Sequence, residues 1–284
     1  MHRHASFELW LHDDAELAAI VGAPVVERTT IHQWPLSCVQ RLRTGSGRKY
    51  LYKVQAPPTI EAEFYSRARS PLLVEVRVLE SAGTTVALLM DEVEAPRLDE
   101  VKPAVPQAVE IAAELCRRIA EIEGDVPTLA DIGGEDLWAA YFGTALEQLQ
   151  ARIADGSFRA VDQALLARLG RVAASPSVLG VIRSPAGLVH SDLMAGNVLV
   201  APGGYRVLDW QRPLRGPAVL DAATLLLSLE IDPLPHVPLG AVQLHHLLHI
   251  AWYAQAAERW YPAGRPRYDG FITQVGERLA ALDS

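Results

Sequence analysis

Residues 188–213 read LVHSDLMAGNVLVAPGGYRVLDWQRP and place two acids and an amide inside strongly apolar sequence. Two short runs, NVLVA and YRVLDW, flank a Pro202-Gly203-Gly204 turn, the pattern of a β-hairpin. Asn197 stands at the head of the first strand and Asp209 at the end of the second. A tight turn brings those ends side by side, with Asp192 in the loop just ahead of Asn197. Singly, each is an ordinary turn or cap residue. Together they set two carboxylates and an amide oxygen at one end of a hairpin. Uncompensated, partial burial of the two acids costs on the order of several kcal/mol or forces protonation. A divalent cation removes the conflict. A small set of oxygen-only ligands suits Mg²⁺, which keeps waters and takes phosphate oxygens as its other ligands. Asp192, in the preceding loop, is then placed to accept a proton from a hydroxyl, the division of labour needed for phosphoryl transfer to an alcohol.

The run His190-Ser-Asp192-Leu-Met-Ala-Gly-Asn197, followed by Leu-Asp209-Trp, resembles the catalytic and metal-binding loops of the aminoglycoside phosphotransferase and choline kinase-like family, relatives of the protein kinases. The Asp192-to-Asn197 spacing equals that of the protein-kinase pattern H-R-D-L-x-x-x-N. The resemblance implies that Asp192 is the catalytic base, Asn197 a metal ligand and Asp209 the principal metal ligand. It gives His190 a packing role and makes Asp221, in GPAVLDAATLL, a buttress that accepts backbone N–H bonds from the catalytic loop. The fold it implies is α+β, protein kinase-like and bilobal, with an antiparallel-sheet N-lobe and a mainly helical C-lobe. The activity it implies is transfer of the γ-phosphate of ATP or GTP, with Mg²⁺, to a hydroxyl of an aminoglycoside-, amino-alcohol- or sugar-like acceptor. Ser191 stands where protein kinases carry arginine, and Asp209-Trp-Gln replaces D-F-G, with no A-P-E-like segment following. These departures favour a small-molecule kinase over a protein kinase.

The N-terminal sequence supplies the matching half. KYLYKVQ reads as a strand carrying Lys53 among apolar neighbours, and a lysine there needs a partner. PPTIEAEFY opens a helix with Glu61 and Glu63; the resemblance to relatives with an E-x-x-F-Y helix makes Glu61, three residues ahead of Phe64, the expected partner and Glu63 the alternative. In the kinase-like fold that the resemblance implies, the lysine strand is the third and the phosphate loop joins the first two, so GSGR, directly before the lysine strand, reads as a hairpin turn rather than a phosphate cradle. The nucleotide loop is then expected at residues 29–37, TTIHQWPLS, where Ser37 and Thr30 offer hydroxyl and N–H groups although the segment lacks glycine. Met90, Asp91 and Glu92 resemble the hinge whose backbone reads a nucleotide base. The expected organisation is a nucleotide-binding lobe at 1–93, a Pro-rich hinge at 94–104 and a helical lobe at 105–284, with the ligand in a cleft between lobes.

Composition bounds the alternatives. The chain has 284 residues and is 50% hydrophobic, enough for a sizeable core, and its formal net charge of −8 argues against nucleic-acid binding. Two cysteines, Cys38 and Cys116, make neither a disulfide framework nor a zinc set and fit a cytoplasmic setting. No apolar run has signal-peptide or membrane-span length, so no membrane partner is expected. His245 and His249 sit one helical turn apart but read as an amphipathic helix face rather than a zinc site. The aromatics Trp138, Tyr141, Trp252, Tyr253, Trp260 and Tyr261 read mainly as core, with some free to line an acceptor pocket, and Glu230, Asp232, Glu258 and Asp269 are candidate contacts for a cationic acceptor. Two other functions use the same acids: a nucleotide-binding scaffold without turnover, and a metal-dependent phosphohydrolase, which gives Lys53 no task.

Overall fold

The hairpin signals of the first hundred residues become one antiparallel sheet in the computed structural model, which describes residues 1–282. A short ribbon, β1 (His2–Arg3) with β2 (Trp10–Leu11), leads into α1 (Asp14–Val21). Asp13 caps α1 by accepting the Glu16 N–H at 2.8 Å, and Glu16 returns the bond to the Asp13 N–H. Gly22, at φ +72°, ends it in the left-handed region that glycine reaches without strain. The sheet follows: β3 (Val25–Trp34), β4 (Ser37–Thr44), β5 (Lys49–Gln55), helix α2 (Glu61–Arg67), β6 (Val76–Leu79) and β7 (Val86–Asp91). Its spatial order is β3-β4-β5-β7-β6, antiparallel throughout.

Period-two alternation splits this sheet into two faces. Tyr50, Tyr52, Val54, Ala87 and Leu89 pack with Leu17 of α1 on one side. Leu88 and Met90, with Leu51, pack with Ala62 and Tyr65 of α2 on the other. Lys53 falls between Tyr52 and Val54 and so takes the second face.

By compactness the chain forms two units. The first holds Met1–Arg97, Glu123–Pro127 and Val198–Gln211; the second holds Leu98–Ile122, Thr128–Asn197 and the chain from Arg212 onward. The first unit therefore includes the hairpin read from the decisive stretch.

The second unit is built on α3 (Leu98–Val101), α4 (Val105–Ala120), α5 (Glu135–Ala154), α6 (Gln163–Ala173) and α7 (Pro176–Ile182), then α8 (Val219–Ser228), α9 (Leu239–Gln255) and α10 (Arg265–Ala281). Helix α9 is central and buries residues on all sides, including Leu244, Leu247, Ile250 and Ala251. Its second residue, Gly240, lies so close to α7 that an added Cβ would sit 1.9 Å from the Ser177 carbonyl oxygen. Three short strands, β8 (Ala130–Asp131), β9 (Ala186–Val189) and β12 (Leu214–Pro217), form a small sheet in the order β8-β12-β9. The longer helices, the hairpins of β3 to β7 and the hairpin of the decisive stretch follow the sequence expectation; helix α7 and the β1–β2 ribbon lie outside it. The helix α3 inside the Pro-rich segment and the β8-β12-β9 sheet lie outside it too, because elements of two to four residues carry too little periodicity to read. Among the described residues no single helix is long and apolar enough to cross a membrane. The bent pair α6–α7, which has the length and composition, buries Leu169, Val172, Val178 and Ile182 in the unit's core.

Candidate active site

In the first unit the decisive hairpin is β10 (Val198–Ala201) with β11 (Gly204–Val207), turning at Pro202-Gly203 with Gly203 at φ +86°. Val198 pairs with Val207. The chain then carries Leu208 into the core face of α2 and turns sharply at Asp209, whose φ of +69° is rare for a residue with a side chain. Such conformations cost on the order of 1–3 kcal/mol and cluster at functional sites. Trp210 anchors the turn: it is fully buried, donates its indole N–H to the Val207 carbonyl at 3.0 Å and stacks on Phe64 of α2 with ring centroids 4.3 Å apart.

That stack fixes what Asp209 meets. The Lys53 ammonium of β5 donates to Glu61 Oε2 at 2.7 Å and to Asp209 Oδ1, joining residues 156 positions apart in sequence. Glu61 is the residue expected; Glu63 instead pairs with Arg67 at the surface of α2. Lys53 is 6% exposed and Glu61 1%. Burial opposes the ammonium, yet Asp209 and Glu61 outweigh it, so the Lys53 pKa stands above its ordinary value. Burial raises the Glu61 carboxyl, with Lys53 working against that rise. One positive and two negative groups leave the cluster a formal charge of −1. The side chain of Gln211 also donates to Asp209.

In the second unit the catalytic-loop sequence is held from below. Asp221 of α8, 1% exposed, accepts the His190 N–H at 2.7 Å and the Ser191 N–H at 2.9 Å, the buttress expected of it. Burial raises its pKa to about 7, against those two bonds. Ser191 takes φ +66° and donates its hydroxyl to the Arg212 carbonyl at 2.6 Å. The His190 ring accepts the Asp192 N–H at 3.3 Å, so its role is support of the loop backbone. Asn197 closes the loop by donating Nδ2 to the Asp192 carbonyl at 3.0 Å. A carbonyl only accepts, so this bond orients the amide and turns Oδ1 away. Asp192 presents a partly exposed carboxylate, paired with Arg212 Nη2 at 3.1 Å.

The remaining expected positions are less committed to chemistry. Ser37 begins β4, buried and paired in register with Trp34 and Gln55, so β3 and β4 are joined by the two residues Pro35 and Leu36. The Thr30 hydroxyl accepts from Gln40. GSGR is the β4–β5 turn, with Gly47 at φ +84°. Met90 and Asp91 end β7; Asp91 pairs with Arg48, and the Glu92 N–H donates to the Lys49 carbonyl at 3.1 Å. Asp269 accepts three backbone N–H bonds from residues 159–161, Glu258 pairs with Arg152, and Glu230 and Asp232 line a separate groove. Those acids are structural or peripheral to Asp192. Arg212 was not singled out from sequence, although it stands three residues past Asp209 and its ring partner, Trp252, is among the candidate aromatics.

Among the described residues no three of His, Cys, Asp and Glu converge as a metal-holding group. In the first unit the Asp209 carboxylate is an oxygen donor of the kind Mg²⁺ takes while keeping waters and phosphate oxygens as its other ligands.

The model of the phosphotransferase enzyme family (APH) matches residues 41–271, and the chain belongs to that family. It is a phosphotransferase of protein kinase-like fold. No curated protein matches the sequence. Among solved structures it is similar to a choline/ethanolamine kinase family protein from Mesorhizobium loti, at 15% identity and TM-score 0.65, covering 94% of this chain and 92% of that one. It is also similar to a thermostable mutant of the aminoglycoside phosphotransferase APH(4)-Ia in ternary complex with AMP-PNP and hygromycin B, at 14% identity and TM-score 0.64, covering 95% and 97%. A macrolide 2′-phosphotransferase from Brachybacterium faecium matches at 13% identity and TM-score 0.62, covering 93% and 98%. At such identities the likeness is one of fold, and site chemistry rests on the residues above.

Proposed function

We infer that this chain moves the γ-phosphate of ATP or GTP to a hydroxyl of a small molecule. The observation that carries the reading is the buried Lys53 held between Glu61 and Asp209. A purely structural core gains little from such a cluster, since burying ions costs more than apolar side chains of equal volume. A cluster with one negative charge in excess is suited instead to a site that meets a cation and phosphates.

Each unit contributes distinct roles. In the first, Lys53 positions the α- and β-phosphates, Glu61 holds Lys53, and Asp209 is the principal metal ligand. In the second, Asn197 Oδ1 is the other metal ligand and Asp192 the base. Mg²⁺, when bound, supplies charge neutralisation across the phosphate oxygens. Asp192 takes the proton of the acceptor hydroxyl as its oxygen bonds to the γ-phosphorus, and the bond to the β-phosphate oxygen breaks to release the nucleoside diphosphate. Such proton transfer is worth about 10²–10⁴ in rate. Ser37 and the backbone at Met90, Asp91 and Glu92 are proposed as contacts to nucleotide.

The short Pro35-Leu36 turn, with no glycine to cradle phosphate, favours a second reading, a nucleotide binder without turnover. One experiment separates them: ATP and GTP consumption over a panel of hydroxylated acceptors, for wild type and Asp192→Ala. Acceptor-dependent turnover lost in Asp192→Ala, with nucleotide binding kept, supports transfer. Binding without turnover across the panel favours the scaffold, and equal turnover by both proteins removes Asp192 from its role.

A further inference from the structure

Arg212 follows Asp209 by three residues, and its side chain lies wholly within the second unit. Its guanidinium carbon sits 3.7 Å from the centroid of the Trp252 ring on α9, and its Nη2 reaches Asp192 Oδ2 at 3.1 Å. The Ser191 hydroxyl holds its carbonyl. The guanidinium is thus fixed in plane beside the proposed base. A guanidinium has five N–H donors in a rigid fork, and Asp192 takes one of them.

The cavity beside it measures about 40 Å³ and is lined by Tyr141, Arg212, His249, Trp252 and Gln255, with Ser191, His245 and four leucines completing the wall. That is room for roughly three waters, or one compact polar group, and not for a sugar ring. No Asp or Glu lines it. Burial holds the His249 pKa below its ordinary value and keeps the ring neutral near pH 7, and burial likewise keeps the Tyr141 hydroxyl protonated. The acids expected for a cationic acceptor lie elsewhere, as described above. The wall therefore offers hydrogen-bond donors and one full positive charge, which Asp192 engages through a single N–H while no acid lines the cavity itself.

The geometry points to an acceptor that carries a carboxylate close to its reacting hydroxyl, a hydroxy acid, with the carboxylate received by Arg212 in this cavity and an amine-bearing acceptor rejected there. This deepens the proposed function and rests on it, because it concerns the alcohol that Asp192 activates. Arg212 acts as the specificity residue. It bridges the catalytic carboxylate and the substrate carboxylate, so that two anions share one cation without direct repulsion.

The test uses three acceptors of one shape: glycerate, glycerol and 3-amino-1,2-propanediol, which end in an anion, a neutral group and a cation. ADP formation is measured with Mg·ATP for wild type, Arg212→Gln and Arg212→Lys. The expected result for wild type is kcat/KM for glycerate about ten- to a hundred-fold above glycerol, the worth of a charge-assisted hydrogen bond, with the aminodiol lowest. Arg212→Gln should collapse the glycerate-to-glycerol ratio towards one, and Arg212→Lys should restore part of it. The ratio is insensitive to the general loss of rate that unpairing Asp192 brings. Should none of the three turn over, thermal shift decides: glycerate must raise the wild-type Tm more than equal glycerol, and lose that advantage in Arg212→Gln. A preference for the aminodiol, a ratio unchanged in Arg212→Gln, or no advantage of glycerate in either assay overturns the inference. Absence of Mg·ATP binding by wild type would instead strike the phosphotransferase reading itself.

Discussion

Replacing Lys53 with Met removes the ammonium from between Glu61 and Asp209 and keeps its length. Asp209, with 29% of its side chain exposed, can be hydrated, but Glu61 is 1% exposed and is left without a counter-ion. Removing one partner of a buried pair costs about 3–5 kcal/mol. With a urea m-value of roughly 2 kcal/mol per molar, the midpoint at pH 8 falls by about 2 M. The pH dependence has a definite sign. The Glu61 carboxyl is already raised by burial, with Lys53 holding it down; without Lys53 it rises further. Between the unfolded value of about 4.3 and that raised value, the native state binds the extra proton. Stability of the variant therefore increases as pH falls, and its deficit against wild type narrows from pH 8 to pH 5.5. Wild type shows the same sign more weakly, because Lys53 opposes the rise of the Glu61 carboxyl; the raised Lys53 pKa itself contributes stability that is complete below about 10.5 and is lost only as pH climbs through the folded value. The double variant Lys53→Met/Glu61→Leu should recover most of the loss. The assay is urea unfolding followed by tryptophan fluorescence at both pH values. A deficit under about 0.3 M at pH 8, or one that grows in acid, would show that the three groups do not form one buried cluster.

Other outcomes follow from single sites. His246 is 6% exposed and burial lowers its pKa to about 4. Between pH 6.5 and 4 the unfolded state binds more protons, so this residue withdraws about 3 kcal/mol of stability as pH falls through that window; His246→Phe should flatten the urea midpoint measured from pH 7 to 4.5. Gly240→Ala, which elsewhere in a helix gains about 1 kcal/mol, should here lower Tm by roughly 4–8 °C, because its Cβ meets the Ser177 backbone oxygen; a raised Tm would mean that α7 and α9 do not approach so closely.

Much of this molecule was legible where local chemistry decides the outcome. Pro202-Gly203-Gly204 marked the β10–β11 turn because few residues other than glycine reach the left-handed backbone that Gly203 adopts. Lys53 was legible as a buried cation in search of a partner, since its neighbours in β5 are apolar. The choice of Glu61 over Glu63 came from the likeness of the helix opening to known relatives; the structure accounts for it, as Glu61 faces the sheet while Glu63 lies a further 200° around the helix by its 3.6-residue period and meets Arg67. What the sequence hid was contact at long range. The Trp252 ring that orients Arg212 is 40 residues away, and the Phe64–Trp210 stack that sets Asp209 beside Lys53 joins segments 146 residues apart, with no periodicity to announce either. The short strands β8, β9 and β12 were missed because pairing partners, not propensity, make them strands.

The most direct measurement is calorimetric titration of ATP into wild type and Asp209→Asn, each with and without Mg²⁺. If Asp209 carries the metal that joins nucleotide to protein, wild type binds Mg·ATP at least ten-fold more tightly than metal-free ATP, and the variant loses that difference. Equal affinity of both proteins for Mg·ATP would mean that Asp209 holds no metal, and the site as built here would not stand.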